Sequence, residues 1–181
     1  DLHTHHIRII LTSSRDPNVR VRSFLNILTN ILPNSFKLNR GKRSLEEIIK
    51  ASARLKAIYL LLLTTCKGNP CKIFIYNLQL FALKYVFKIS GISLPTDYGV
   101  SINQIKNNNS LCIAENSCSF LRNFIIDMGM FTLQERCDIL LHLNRISQNS
   151  CELIFERAID NVKFFRVVLE QDAGLSLNQY L

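Results

Sequence analysis

The sequence predicts an α/β fold made of two similar half-domains, each a mixed sheet with flanking helices. Three observations point there. Apolar spacing over the first ninety residues switches repeatedly between strand-like and helix-like periods. The longest apolar run, Ala57 to Leu63, is bounded by polar residues and reads as a strand buried on both faces. After a turn-rich stretch at 91–110 the order of elements roughly repeats. The division expected is a first half at 7–90, a linker or loop at 91–110 and a second half at 111–181, all within one domain spanning 1–181.

The first half reads in order. Ile7 to Thr12 is a strand, and the polar segment containing Pro17 is the loop that ends it. Phe24, Leu25, Ile27, Leu28, Ile31 and Leu32 recur at helical spacing until Pro33 stops the helix. Ser35 to Leu38 is short and extended. Ser44 with Glu47 three residues later makes a capping box, so a second helix begins at Leu45, with Leu45, Ile48, Ile49 and Leu55 along its apolar face. The buried strand follows, then a loop at Cys66 to Pro70, then strands at Lys72 to Leu78 and Leu83 to Ile89.

The second half is read more coarsely. Leu111 to Ala114 is a strand, and Phe120 to Met128 a helix with Leu121, Phe124, Ile125 and Met128 on one side. Cys137 to Ile146 fits strand or helix. Glu152 to Ala158 and Val162 to Leu169 flank Asp160-Asn161, the pattern of a β-hairpin.

With 181 residues, 48% hydrophobic and 20% charged, the chain has the composition of an ordinary globular protein. It needs neither metal nor disulfide to fold at this size. No apolar run approaches the ~20 residues of a membrane span. Asp1 to His6 is polar and lacks the apolar core of a secretion signal, so an intracellular protein is expected. The six cysteines (Cys66, Cys71, Cys112, Cys118, Cys137, Cys151) form no C-x-x-C pair and no zinc spacing. They are expected to be buried thiols, with a Cys66–Cys71 bridge as the alternative in a hyperthermophile.

Charge is unevenly spread. Residues 1–90 hold 15 Lys or Arg against 4 acids, while residues 91–181 hold 7 against 10, giving +11 and −3 and a net of +8. So basic a half calls for a polyanionic partner, of which nucleic acid is the commonest. If the first three strands are parallel, their C-terminal ends share one rim. The loop after the first strand would bring Arg15, Arg20 and Arg22; the second, Arg40, Lys42 and Arg43; the third, Lys67 and Lys72. These eight are the candidate RNA-binding residues. Two helix N-termini at the same rim suit phosphate, and Gly41 and Gly68 allow close backbone approach. Arginine is apt because its planar fork grips phosphate through two N–H groups. Tyr59, Phe74, Tyr76, Tyr85 and Phe87 alternate within strands and read as core, not as base-stacking platforms. Recognition is therefore expected through backbone and shape.

Thr12 to Glu47 also carries the strings T-S-S-R-D-P-N-V-R-V-R-S-F-L and L-P-N-S-F-K-L-N-R-G-K-R-S-L-E-E. Together with Lys67-Gly68-Asn69-Pro70 they resemble the N-terminal signature of the Brix domain family, over roughly residues 7–90. The resemblance implies a ribosome biogenesis factor that binds ribosomal RNA precursor, acts in its processing, and in some members promotes pairing with a guide RNA. It also implies two halves like the anticodon-binding domains of class II aminoacyl-tRNA synthetases. A Gly-Pro-Thr element common in the family is absent, and Leu80-Phe81-Ala82-Leu83 stands in its place. The bare length is similar to archaeal members, which implies the cytoplasm, with the nucleolus as the compartment were the protein eukaryotic.

An enzyme is the first rival. Gly41-Lys42 is like the end of a phosphate-binding P-loop, but Phe36 occupies the first glycine position and Arg43 replaces Ser or Thr. His142 stands in an apolar segment and reads as structural; His3, His5 and His6 lie at a chain end. No catalytic residue, metal or cofactor is expected. The second rival is a protein-interaction module in which the acidic second half, through Glu152, Glu156, Asp160, Glu170 and Asp172, docks a basic ribosomal protein.

Overall fold

The computed structural model describes residues 6–105, 110–130 and 136–172. His3 and His5 lie outside the described residues, and His6 is exposed. The described strands form one nine-stranded sheet in the order β2-β1-β3-β4-β5-β9-β8-β7-β6. Their ranges are β1 Ile9–Ser13, β2 Ser35–Lys37, β3 Tyr59–Cys66, β4 Asn69–Asn77, β5 Ala82–Ser93, β6 Leu111–Asn116, β7 Ile139–Arg145, β8 Ser150–Arg157 and β9 Val162–Gln171. Among the described residues three α-helices accompany them: α1 Val19–Ile31, α2 Leu45–Arg54 and α3 Arg122–Asp127. The fold is α/β with a large mixed sheet. β1 runs parallel to both β2 and β3, β6 runs parallel to β7, and every other pairing is antiparallel.

Helices cover the sheet unequally. α1 turns Val21, Phe24, Leu25, Ile27, Leu28 and Ile31 onto one face, where α3 adds Phe124 and Ile125 to the same core. Residues at this spacing form one stripe of a helix, so burying that stripe fixes its orientation. α2 packs Ile48 and Ile49 on the opposite face, against Ile10, Leu60 and Leu78 in a small second cluster. Central β3 meets both cores, which is why its run Leu60 to Leu63 is apolar without alternation.

Several expectations need correction. α1 begins earlier than the apolar period suggested, because the Asn18 side chain caps it by accepting from the Val21 N–H at 3.0 Å. Arg20 and Arg22 therefore stand on the first turn of α1 and not in a loop. β4 starts at Asn69, which leaves Lys72 inside a strand. β5 extends to Ser93, pairing Gly91–Ser93 with β9, so the stretch expected as a linker begins inside the sheet. Beyond it Leu94, Val100 and Ile105 are buried in the main core around two short 3-10 turns, Pro95–Tyr98 and Ile102–Gln104. The segment Cys137 to Ile146, ambiguous in sequence, contains strand β7, and β8 and β9 form the expected hairpin.

The cysteines are the largest correction. All six are paired, as Cys66–Cys71, Cys112–Cys137 and Cys118–Cys151, with Cα separations of 5.3, 5.7 and 6.3 Å that lie within disulfide reach. Spacing along the chain conceals two of the pairs, since sheet pairing and a loop return bring their members together across 25 and 33 residues.

Candidate nucleic-acid interface

Because β1 is parallel to both its neighbours, the strand ends at Ser13, Lys37 and Cys66 open on one rim. The three loops beyond them are stitched together. The Ser14 N–H donates to the Leu63 carbonyl at 2.9 Å, and the Leu38 N–H to the Leu11 carbonyl at 2.8 Å. The Arg40 guanidinium donates to the Ser13 carbonyl at 3.1 Å and to the Arg43 carbonyl at 2.8 Å. The Asn18 amide donates to the Gly68 carbonyl, drawing the β3–β4 tip against the start of α1. Gly68 has φ +80°, a backbone conformation that strains other residues, and a Cβ there would stand 2.9 Å from that amide nitrogen, so the Asn18 side chain would have to shift.

The eight predicted cations divide into three groups. Arg15, Arg20, Arg22, Lys42 and Lys67 are exposed, and among the described residues no acid lies within ion-pair distance of them. Arg40 and Arg43 are half-buried and hold loop carbonyls, Arg43 donating to those of Asn39 and Arg40. Lys72 is spent elsewhere: its Nζ is 3.1 Å from Asp172. Thus the rim gathers seven of the eight, and two of those also hold its shape.

The electrostatics of the rim are uncompensated. Arg40 sits below the ordinary guanidinium pKa, first because burial disfavours its charge and then because Arg15 and Arg43 repel it. α1 adds to the excess. Its first turn holds no acid and carries Arg20, the reverse of what a helix N-terminus favours. α2 shows the usual pattern, with Glu46 and Glu47 in its first turn and Ser44 accepting from the Glu47 N–H at 3.2 Å. Such a concentration of like charge is stabilised by an anion laid across it.

The remaining candidates settle into structure. Tyr59, Tyr85 and Phe87 pack in or against the main core, Tyr76 lies against the smaller cluster, and Phe74 is half-buried. His142 Nε2 is 2.7 Å from Glu156. Of the five acids named for docking a basic protein, four are already engaged: Glu152 with Arg166, Glu156 with His142, Asp160 with Arg157 and Asp172 with Lys72. Among the described residues no group of three or more His, Cys, Asp or Glu is placed to hold a metal ion. No described helix is long and apolar enough to cross a membrane. Sequence reasoning missed Asn18 and Lys37 as parts of this surface; Pro17-Asn18 ahead of Val21 was the readable signal for the first, a cap before an apolar stripe.

No family model matches the chain. It is 47% identical over 169 residues to a probable Brix domain-containing ribosomal biogenesis protein of Saccharolobus solfataricus, covering 93% of this chain and 99% of that one. A protein of the same description from Sulfurisphaera tokodaii is 42% identical over 135 residues, 75% of this chain and 74% of the relative. Among solved structures, a probable ribosomal biogenesis protein from Aeropyrum pernix K1 superposes with a TM-score of 0.76 at 21% identity, covering 92% of this chain and 97% of that one. An archaeal Imp4-like protein gives 0.66 at 16% identity, over 91% and 97% of the two chains. At such identities the two structures establish the fold alone.

Proposed function

The chain belongs to the Brix domain-containing ribosomal biogenesis proteins, and we propose that it serves ribosome assembly by binding ribosomal RNA precursor along the rim beyond β1, β2 and β3. The observation that carries this reading is the set of five exposed cations without an acidic partner, brought by the start of α1 and by the loops after β1, β2 and β3, around the half-buried Arg40. Phosphate is the ligand that neutralises such a set, and arginine grips it best. The function is one of binding: the relatives are named for ribosome biogenesis and not for a reaction. The cytoplasm is the compartment that goes with it, and there three disulfides fit a hyperthermophilic setting.

The mirrored strand orders, β1-β3-β4-β5 against β6-β7-β8-β9, meet at the β5–β9 pairing. This supports a reading of the sheet as two related halves, the arrangement that the family resemblance joins to anticodon-binding domains.

The test uses RNA affinity at several salt concentrations. Five phosphate contacts predict that log K falls against log salt with a slope of about −4 to −5. Arg15→Glu, Lys42→Glu and Lys67→Glu together remove three contacts and should flatten that slope by about 3 while leaving the fold intact, since none of these side chains holds a carbonyl. Reversing Arg122 and Arg145 instead should change little. Salt-independent binding, or a folded triple variant with undiminished affinity, overturns the reading.

A further inference from the structure

β1 leads into α1 on one face of the sheet, whereas its neighbour β2 leads into α2 on the other. Where chains leave adjacent strand ends in opposite directions a crevice opens, and open α/β sheets bind ligands there. In this protein the crevice is a cleft of about 260 Å³. Arg22, Lys37 and Arg40 supply its charge, and no acid lines it. Two of the three are held in place: Arg40 by the Ser13 and Arg43 carbonyls, and Lys37 by the Asn26 side-chain oxygen at 2.7 Å. The rest of the lining is of another character. Pro17, Leu25 and Leu38 give it apolar walls, and exposed Asn39 contributes an amide that both donates and accepts.

A site for phosphate alone needs no apolar wall, and a helix does not fit in such a volume. At ~30 Å³ per water, the cleft has room for on the order of nine waters, which is the scale of one nucleotide. We propose that it takes a single unpaired nucleotide. Its phosphate lies on Arg22 and Arg40, its sugar and base lie against Pro17, Leu25 and Leu38, and its base edge meets Asn39. This rests on the rim being the RNA site and adds a preference to it: RNA with a bulged or single-stranded nucleotide over continuous duplex, whose bases are stacked out of reach.

The experiment measures binding of the full chain to two RNA hairpins that share a stem, one with a single-nucleotide bulge, and to adenosine monophosphate alone. The bulged hairpin should bind about tenfold tighter, because a bulged base costs least to extrude. Asn39→Ala should bring that ratio toward one while leaving affinity for the paired stem unchanged. Equal, salt-sensitive binding of both hairpins overturns the cleft proposal and leaves the rim standing; failure of both to bind overturns both. Adenosine monophosphate whose binding is lost in Asn39→Ala yet does not compete with the bulged hairpin makes the cleft a small-molecule site, and also overturns the proposal.

Discussion

The loops beyond β1, β2 and β3 are crowded with cations, whereas the openings beyond β6 and β7 are walled with isoleucine. Both places follow a parallel strand pair, and in both a helix starts beside the strand ends. At the second, Ile113, Ile125 and Ile126 line a cleft of about 700 Å³, with Arg122 as its charged residue. Arg145 nearby is drawn back onto the Ser147 carbonyl at 3.1 Å. The strand arrangement thus fixes where an opening lies, and side chains decide what can enter it. The two are also cross-linked differently. Hydrogen bonds from Asn18, Arg40 and Arg43 stitch the cationic rim beside the short Cys66–Cys71 bridge, while the second opening adds to the bonds of Ser117 with Leu143 and Arg145 the buried Cys118–Cys151 bridge, which spans 33 residues.

Removing the cross-links puts that difference to its hardest test. Cys118 and Cys151 are 33 residues apart, so losing their bridge should cost about 3–4 kcal/mol by loop-closure entropy. Cys66 and Cys71 are 5 apart, and their loss should cost about 2 kcal/mol. Denaturant midpoints of Cys118→Ala/Cys151→Ala and Cys66→Ser/Cys71→Ser, compared with the parent chain, give the order. Equal losses, or no loss from the longer loop, would mean that the second opening does not depend on its bridge.

A smaller effect is expected away from both openings, where the end of α3 meets β5 and the start of β1. Asp127 at the end of α3 accepts from Lys84 at 2.7 Å and Tyr85 at 2.5 Å, and its backbone carbonyl accepts from Arg8 at 3.1 Å. Burial alone would raise its pKa, but the bonds from Lys84 and Tyr85 outweigh that and hold it below the usual carboxylate value. Lys84 is shifted up, chiefly by its bond to Asp127. The signs follow from linkage. A depressed carboxylate contributes stability above its unfolded pKa of about 3.9, lost as pH falls through the folded value. A raised lysine contributes stability below about pH 10.4, lost as pH climbs through its folded value. Asp127→Ala leaves Lys84 and Tyr85 without their acceptor and should cost about 1–2 kcal/mol, a drop in Tm of roughly 2–8 °C at this length. It should also flatten the stability profile at acid pH, and an unchanged acid limb would show that Asp127 is not the coupling.

What could be read from sequence follows the same division. The first region announces itself: Ser44 and Glu47 mark a helix start, Pro33 a helix end, and the apolar period gives the buried stripe of α1 and the core of β3, though not their first residues. Most of its cations could be assigned to one rim because parallel order is a strong rule for strands joined through helices, although Arg20 and Arg22 stand on α1 and Lys72 within β4. The fate of individual charges was not legible. That Lys72 would meet Asp172, a hundred positions on, depends on β5 pairing with β9, and no local signal specifies that pairing. Two of the three disulfides, Cys112–Cys137 and Cys118–Cys151, were hidden for the same reason, whereas the short Cys66–Cys71 bridge could be offered from spacing. Likewise the Pro95, Gly99 and polar residues of 91–110 looked like a linker, although Leu94, Val100 and Ile105 seal the core at the β5–β9 junction.

The finest comparison is between two hairpin tips. Phe81, just before β5, and Asn161, just before β9, both adopt left-handed backbone, with φ of +49° and +56°. Asparagine tolerates that conformation because its short side chain bonds locally, whereas a bulky residue crowds its own carbonyl. Phe81 gains little in return, since 67% of it is exposed. Phe81→Asn should therefore stabilise the protein by about 0.5–1 kcal/mol, and Asn161→Phe should destabilise it by a similar amount. Opposite shifts in Tm would show that the tips obey one backbone rule and differ only in side chain. Should Phe81→Asn instead lower Tm, the exposed ring must contribute contacts that outweigh its backbone strain, and the two tips would differ in packing as well as in residue.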